Sequence, residues 1–221
     1  MSTKIDGPRL SPLSGGPAKQ LVVFLHGYGA DGNDLIDIGR HWQQALPDAS
    51  FVSPNAPEAC SMNPFGRQWF GLQRIDANEK WEGVQKAGPE LNEFLDDELS
   101  THGLTESDLA LVGFSQGTMM SLHVGLRREK PLAGIVGFSG ALAGPEHLAG
   151  QIVSKPPILL VHGAVDDVIP VVALAEAQSA LEKEDVSVNT HISEGLGHGI
   201  DGEGLMLGVT FLRQCFGLGE V

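Results

Sequence analysis

The stretch Leu109-Ala110-Leu111-Val112-Gly113-Phe114-Ser115-Gln116-Gly117-Thr118-Met119-Met120-Ser121-Leu122-His123-Val124-Gly125 decides how this chain is read. Its first four residues form a short apolar run of the kind found in buried strands. From Thr118 the residues suit a helix. Between the two lies G-x-S-x-G, Gly113 to Gly117, which puts a serine on a sharp strand-to-helix turn. A serine there adopts a strained backbone, and Gly113 and Gly117 fit because any larger Cβ would clash across the turn. The helix that follows aims its N-terminus at Ser115, where free N–H groups and the dipole favour developing negative charge. In a chain with 29 glycines the pentapeptide alone is only moderately specific. The rest of the chain must supply a base, an acid and a second oxyanion donor.

Working outward, strands alternate with helices. Leu21–Leu25, Ala49–Ser53, Leu132–Phe138, Pro157–Val161 and Ser187–Ile192 read as strands. Helices are expected over Asp34–Ala45, Trp81–Thr101, Val171–Lys183 and Leu205–Phe216, with a kink or break at Pro89. The alternation implies an α/β fold with a mostly parallel central sheet and helices on both faces. Residues 1–221 read as one domain, with residues 1–20 a loosely held arm that carries a short strand near Ile5–Leu10. The interval between Phe138 and Ile158 is too short for a cap domain.

Composition narrows the function. A formal net charge of −14 opposes binding to nucleic acid or to anionic membrane surfaces. No apolar run approaches the length of a membrane span, and the N-terminus lacks a signal-peptide pattern. Cys60 and Cys215 match no metal-ligand spacing and read as reduced thiols, so a cytoplasmic protein without metal or cofactor is expected.

Two later loops complete the chemistry. His162-Gly163-Ala164-Val165-Asp166-Asp167-Val168-Ile169-Pro170 follows one strand, and Gly195-Leu196-Gly197-His198-Gly199 follows the next. Serine, then acid, then histidine is the chain order of an α/β-hydrolase triad. Of eight histidines, only His198 lies late in the chain in a glycine loop at a strand's end. His26 and His162, each before a glycine at a strand end, suit structural hydrogen bonding, and His123 suits packing. Asp166 and Asp167 remain alternatives on physical grounds.

Gly27-Tyr28-Gly29-Ala30-Asp31-Gly32 also fits G-x-G-x-x-G after a strand and before a helix. Asp31 and Asp34 oppose a pyrophosphate there, and no acidic residue ends a second strand at the usual distance. The turn instead aims the Tyr28 N–H at an oxyanion, beside the N–H of Gln116. In the long irregular segment Pro54–Asn78, Met62, Phe65, Trp69, Phe70 and Leu72 either plug the core edge or form an apolar wall for an acyl chain. Val168 and Ile169 would extend that wall, and Arg67 or Arg74 would meet a polar head group. The apolar surface near Trp69 would equally serve a weak homodimer.

Leu25-His26-Gly27-Tyr28-Gly29-Ala30-Asp31-Gly32, Gly113-Phe114-Ser115-Gln116-Gly117, Asp166-Asp167-Val168-Ile169-Pro170 and Gly197-His198 resemble the phospholipase/carboxylesterase family. The resemblance runs from about Leu21 to the C-terminus. It implies Ser115 as nucleophile, Asp166 as acid and His198 as base, with Tyr28 and Gln116 as oxyanion donors. It also implies that Trp69-Phe70 lies beside an acyl groove. The function so read is hydrolysis of short to medium carboxylic esters through an acyl-enzyme. Alternatives are an acyl-protein thioesterase or lysophospholipase, and, in another class, a non-catalytic ligand-binding protein on the same fold.

Overall fold

The computed structural model describes residues 5–74 and 76–219; Met1–Lys4 of the expected arm lie outside them. Among the described residues the strands are β1 (Arg9–Leu10), β2 (Gln20–Leu25), β3 (Ala49–Val52), β4 (Glu58–Ala59), β5 (Arg67–Gln68), β6 (Leu109–Phe114), β7 (Gly134–Phe138), β8 (Ile158–Gly163) and β9 (Val188–Ser193). The helices are α1 (Gly32–Trp42), α2 (Ala77–His102), α3 (Gln116–Gly125), α4 (Val172–Glu182) and α5 (Gly202–Cys215). The main sheet has seven strands in the order β1-β3-β2-β6-β7-β8-β9, all parallel except β1.

Strand periodicity builds a core on each face. In β2, Leu21, Val23 and Leu25 face the side covered by α2, α3 and α4, while Val22 and Phe24 face α1 and α5. The same alternation separates Leu109 and Leu111 of β6 from Ala110 and Val112. With both faces covered, these strands read as unbroken apolar runs in sequence. Every residue of α3 is buried, as expected of a helix packed on all sides at the sheet's centre.

Helix boundaries follow their caps. Asp31 accepts the Asn33 N–H and starts α1 at Gly32, earlier than the apolar spacing indicates. Its carboxylate thereby occupies the helix start that a pyrophosphate would need. Asp76 accepts the Glu79 N–H and starts α2 at Ala77, and Gly103, at φ 65°, closes it. The expected break at Pro89 does not occur, and α2 runs through the proline as one helix. The segment Pro54–Asn78 is not wholly irregular, since β4 and β5 pair as a small antiparallel ladder. Along the other edge, β1 pairs with β3, Ile5 is buried, and Arg9 bonds the buried carboxylate of Glu98.

The strand order reverses at β2 and β6. β3 lies on one side of β2, and the chain then crosses to put β6 on the other. Such a switch point opens a crevice beyond the carboxyl ends of the strands, where ligands of open α/β sheets bind.

Candidate active site

Four strand-end loops meet at that crevice, and each carries a residue that the sequence singles out. β6 ends in Ser115, whose backbone stands at φ 53° and ψ −113°. Such a conformation costs on the order of 1–3 kcal/mol and has to be imposed by its surroundings. The glycines on either side permit it. A Cβ on Gly113 would come within 2.5 Å of the Gly117 carbonyl, and one on Gly117 within 1.7 Å of the Leu25 carbonyl oxygen. Hydrogen bonds fix the turn: the Ser115 N–H donates to Phe138 O at 2.9 Å, and the Thr118 hydroxyl is 2.9 Å from both Gly113 O and Phe138 O.

His198 lies between Ser115 and Asp166. Its Nε2 is 3.0 Å from the Ser115 Oγ, and its Nδ1 is 2.8 Å from the Asp166 Oδ2. The loop that holds it is fastened to its neighbours: the Val165 N–H donates to Leu196 O, and the Ser139 hydroxyl to Gly199 O. β8 runs close under this loop, since a Cβ on Gly163 would meet Gly197 O at 2.2 Å.

The two aspartates have opposite environments. Asp166 is buried, and its Oδ1 accepts the N–H groups of Val168 and Ile169 at 2.9 and 2.8 Å. Its neighbour Asp167 is exposed. Burial pushes the Asp166 carboxyl up, but hydrogen bonds from His198, Ile169 and Val168 outweigh it and hold the group below its ordinary value. It is therefore an anion beside the His198 ring at neutral pH. Its Oδ2 also lies 3.3 Å from Nε2 of the buried His162, which bonds the Ile169 carbonyl at 2.8 Å.

At the end of β2, His26 locks the next turn. Its Nδ1 donates to Gly27 O at 2.7 Å, and its Nε2 accepts the Ala56 N–H at 3.0 Å. Burial pulls its imidazole below the ordinary histidine range, so it stays neutral in this role. The Tyr28 and Gln116 N–H groups have no hydrogen-bond partner among the described residues, as donors reserved for a ligand would.

An apolar groove of about 920 Å³ opens over Ser115 and His198. This is within the size range of small-molecule sites. Met62, Val168 and Ile169 line it, as the sequence indicates. Trp69, Phe70 and Phe65 do not. Trp69 and Phe70 are fully buried: Phe70 packs on Gly83 of α2, and the Trp69 indole N–H donates to His26 O. They plug the core edge, the other alternative open to them. Phe65 is exposed at the tip of the β4–β5 turn and is not among the groove residues. Arg67 is spent on the carbonyls of Ala56 and Pro57, and Arg74 on Asp76.

The remaining walls come from Leu72, which belongs to the same apolar stretch of sequence, and from residues the sequence did not single out: Met119, Leu142 and Val172. Met119 was within reach, because it lies one turn beyond Ser115 on the same helix face. Leu142 belongs to the loop after β7, marked only by its position at a carboxyl strand end.

The sequence profile of the family described as Phospholipase/Carboxylesterase matches residues 13–216. The chain belongs to this family. The chain is 33% identical to Esterase YpfH of Escherichia coli (strain K12) over 198 residues, 89% of this chain and 83% of the relative. It is 28% identical to Acyl-protein thioesterase 1 of Schizosaccharomyces pombe, over 98% of this chain and 99% of that protein. The crystal structure of esterase PE8 superimposes with a TM-score of 0.93 at 46% identity, covering 96% of this chain and all of the other. Membership makes the chain a carboxylesterase-type hydrolase on the α/β-hydrolase fold. No helix of the described residues is long and apolar enough to cross a membrane.

Proposed function

We propose that this protein hydrolyses carboxylic esters of short to medium acyl chains, with Ser115 as nucleophile, His198 as general base and Asp166 as its orienting anion. The observation that carries the reading is the continuous chain of contacts from Ser115 Oγ through both nitrogens of His198 to Asp166. The Ser115 oxygen attacks the ester carbonyl carbon while its proton passes to His198 Nε2. The carbonyl oxygen becomes an oxyanion and accepts the N–H groups of Tyr28 and Gln116. When the C–O bond breaks, His198 returns the proton to the departing alcohol and leaves an acyl-serine. Water, deprotonated by the same imidazole, then releases the acid and restores Ser115. Asp166 holds Nδ1–H toward itself, so that Nε2 is the nitrogen free to take the proton, and stabilises the imidazolium.

The uncapped groove supports small esters over lipid aggregates. Similarity to an acyl-protein thioesterase keeps thioesters as the second reading, since the same acyl-serine serves both leaving groups. The two free cysteines support a cytoplasmic setting.

The test is hydrolysis of p-nitrophenyl esters from acetate to decanoate, with Ser115→Ala as control. Turnover that vanishes in the control, with an optimum at short or medium chains, supports the assignment. A folded protein that turns over no ester and fails to react with a fluorophosphonate would instead be a binding protein.

A further inference from the structure

A second concavity, of about 320 Å³, lies away from the catalytic groove, between α2 and the far half of α3. Its lining is cationic and amide-rich: Arg127, His123, Gln85, Asn92 and Gln151 surround a floor of Gly88, Pro89 and Val124. Among the described residues no carboxylate lines it. We propose that this pocket binds a small oxyanion, the phosphate or carboxylate group of a small molecule, with Arg127 as its principal partner. The inference is independent of the hydrolytic reading.

Arg127 is the first argument. Arg9, Arg40, Arg74 and Arg128 each pair with a carboxylate. Arg67 and Arg213 hold main-chain carbonyls. Arg127 is half-buried, yet among the described residues its guanidinium bonds the His123 carbonyl at 3.1 Å and the Gln151 amide oxygen at 2.9 Å and no carboxylate. Its face lies over Trp81, 5.3 Å from the ring centroid. A partly desolvated cation without a counter-charge is costly. Burial lowers its proton affinity, and no nearby carboxylate raises it.

The second argument is the polarity of the amides. Gln151 gives its oxygen to Arg127, and Asn92 gives its oxygen to Arg128 at 3.0 Å. Arginine only donates, so these contacts fix both amides with oxygen toward the arginine and the NH₂ group left to donate. Together with Arg127, they make a pocket rich in donors and short of acceptors. His123, its ring buried, meets the same space. Its Nε2 edge stands against Gly88, where an added Cβ would lie 3.5 Å from that nitrogen, and its buried Nδ1 has no partner among the described residues. An oxyanion would neutralise Arg127 and accept from the amides.

The experiment measures thermal unfolding of the full-length protein in about 20 mM inorganic phosphate or acetate against chloride of equal ionic strength. A Kd of about 5 mM for phosphate would raise the wild-type Tm by about 3 °C, and the two arms separate a tetrahedral from a planar anion. Arg127→Gln should abolish the difference, and Gln151→Ala should reduce it, while both variants still hydrolyse a short ester. Equal shifts in wild type and Arg127→Gln, or no shift with either anion, overturn the proposal. If Arg127→Gln does not fold, the His123 ring resonances of the wild type decide. Phosphate or acetate should move them at constant pH and ionic strength, and unmoved resonances overturn the proposal.

Discussion

Gln116 reaches back to hold Trp69: its amide oxygen accepts the Trp69 N–H at 2.9 Å, while its NH₂ donates to Phe70 O at 2.8 Å. The Trp69 indole in turn donates to His26 O. The side chain of Gln116 thus ties its own turn to the turn that carries Tyr28. Gln116→Leu would strand a buried N–H and a buried carbonyl, each costing about 1–3 kcal/mol. Urea unfolding should show a loss of about 2 kcal/mol or more. Because the main-chain N–H survives, activity should fall far less than in Ser115→Ala.

Ser115→Ala should lower kcat/KM for p-nitrophenyl acetate at least about a thousand-fold. Its stability should stay near wild type, because alanine inherits the same unfavourable φ. Glycine tolerates that φ, so Ser115→Gly should be as inactive but unfold at higher temperature than Ser115→Ala, by about 1 kcal/mol. Equal or lower stability of the glycine variant would remove strain from the account of this turn.

The acid can be tested through its partners. Asp166→Asn should cost about ten-thousand-fold in kcat by presenting the wrong tautomer to Ser115, whereas the exposed Asp167→Asn should change it less than about twofold. His162 lies beside the same carboxylate oxygen as His198, and its Nε2 bonds the Ile169 carbonyl.

Burial first, and Arg127 second, lower the His123 imidazole from 6.5 to about 4. The folded protein keeps this ring neutral, while the unfolded chain takes up a proton near the ordinary value. Above that value the two states match and nothing is lost. As pH falls from there toward about 4, stability declines by up to about 1.4 kcal/mol per unit. His123→Met should flatten this decline, read as a smaller difference in urea midpoint between about pH 7 and pH 5.

The sequence disclosed most where chemistry and steric demand coincide. Gly113, Ser115 and Gly117 are legible because almost nothing else fits that turn. Strands β2, β6 and β8 are legible because burial on both faces leaves only apolar residues to use. Trp69 and Phe70 were ambiguous because an aromatic that plugs a core and one that lines a groove look alike until the partner is known, here Gly83 and Gln116. No break occurs at Pro89 because the proline cost in a helix interior, about 3 kcal/mol, is offset by an α2 face that buries Leu91, Phe94 and Leu95 in the core. Leu142 and Val172 carry no local mark; only the topology brings them over Ser115.

The fastening of the His198 loop to Ser139 and Val165 uncouples it from the margin of the sheet. β9 is the outermost strand of the sheet, and most of its residues are at least partly exposed. An edge strand leaves N–H and C=O groups unpaired on one side and opens more readily than a sheet's interior. Because the loop is also tied to the ends of β7 and β8, fraying at that margin need not carry the imidazole away from Ser115.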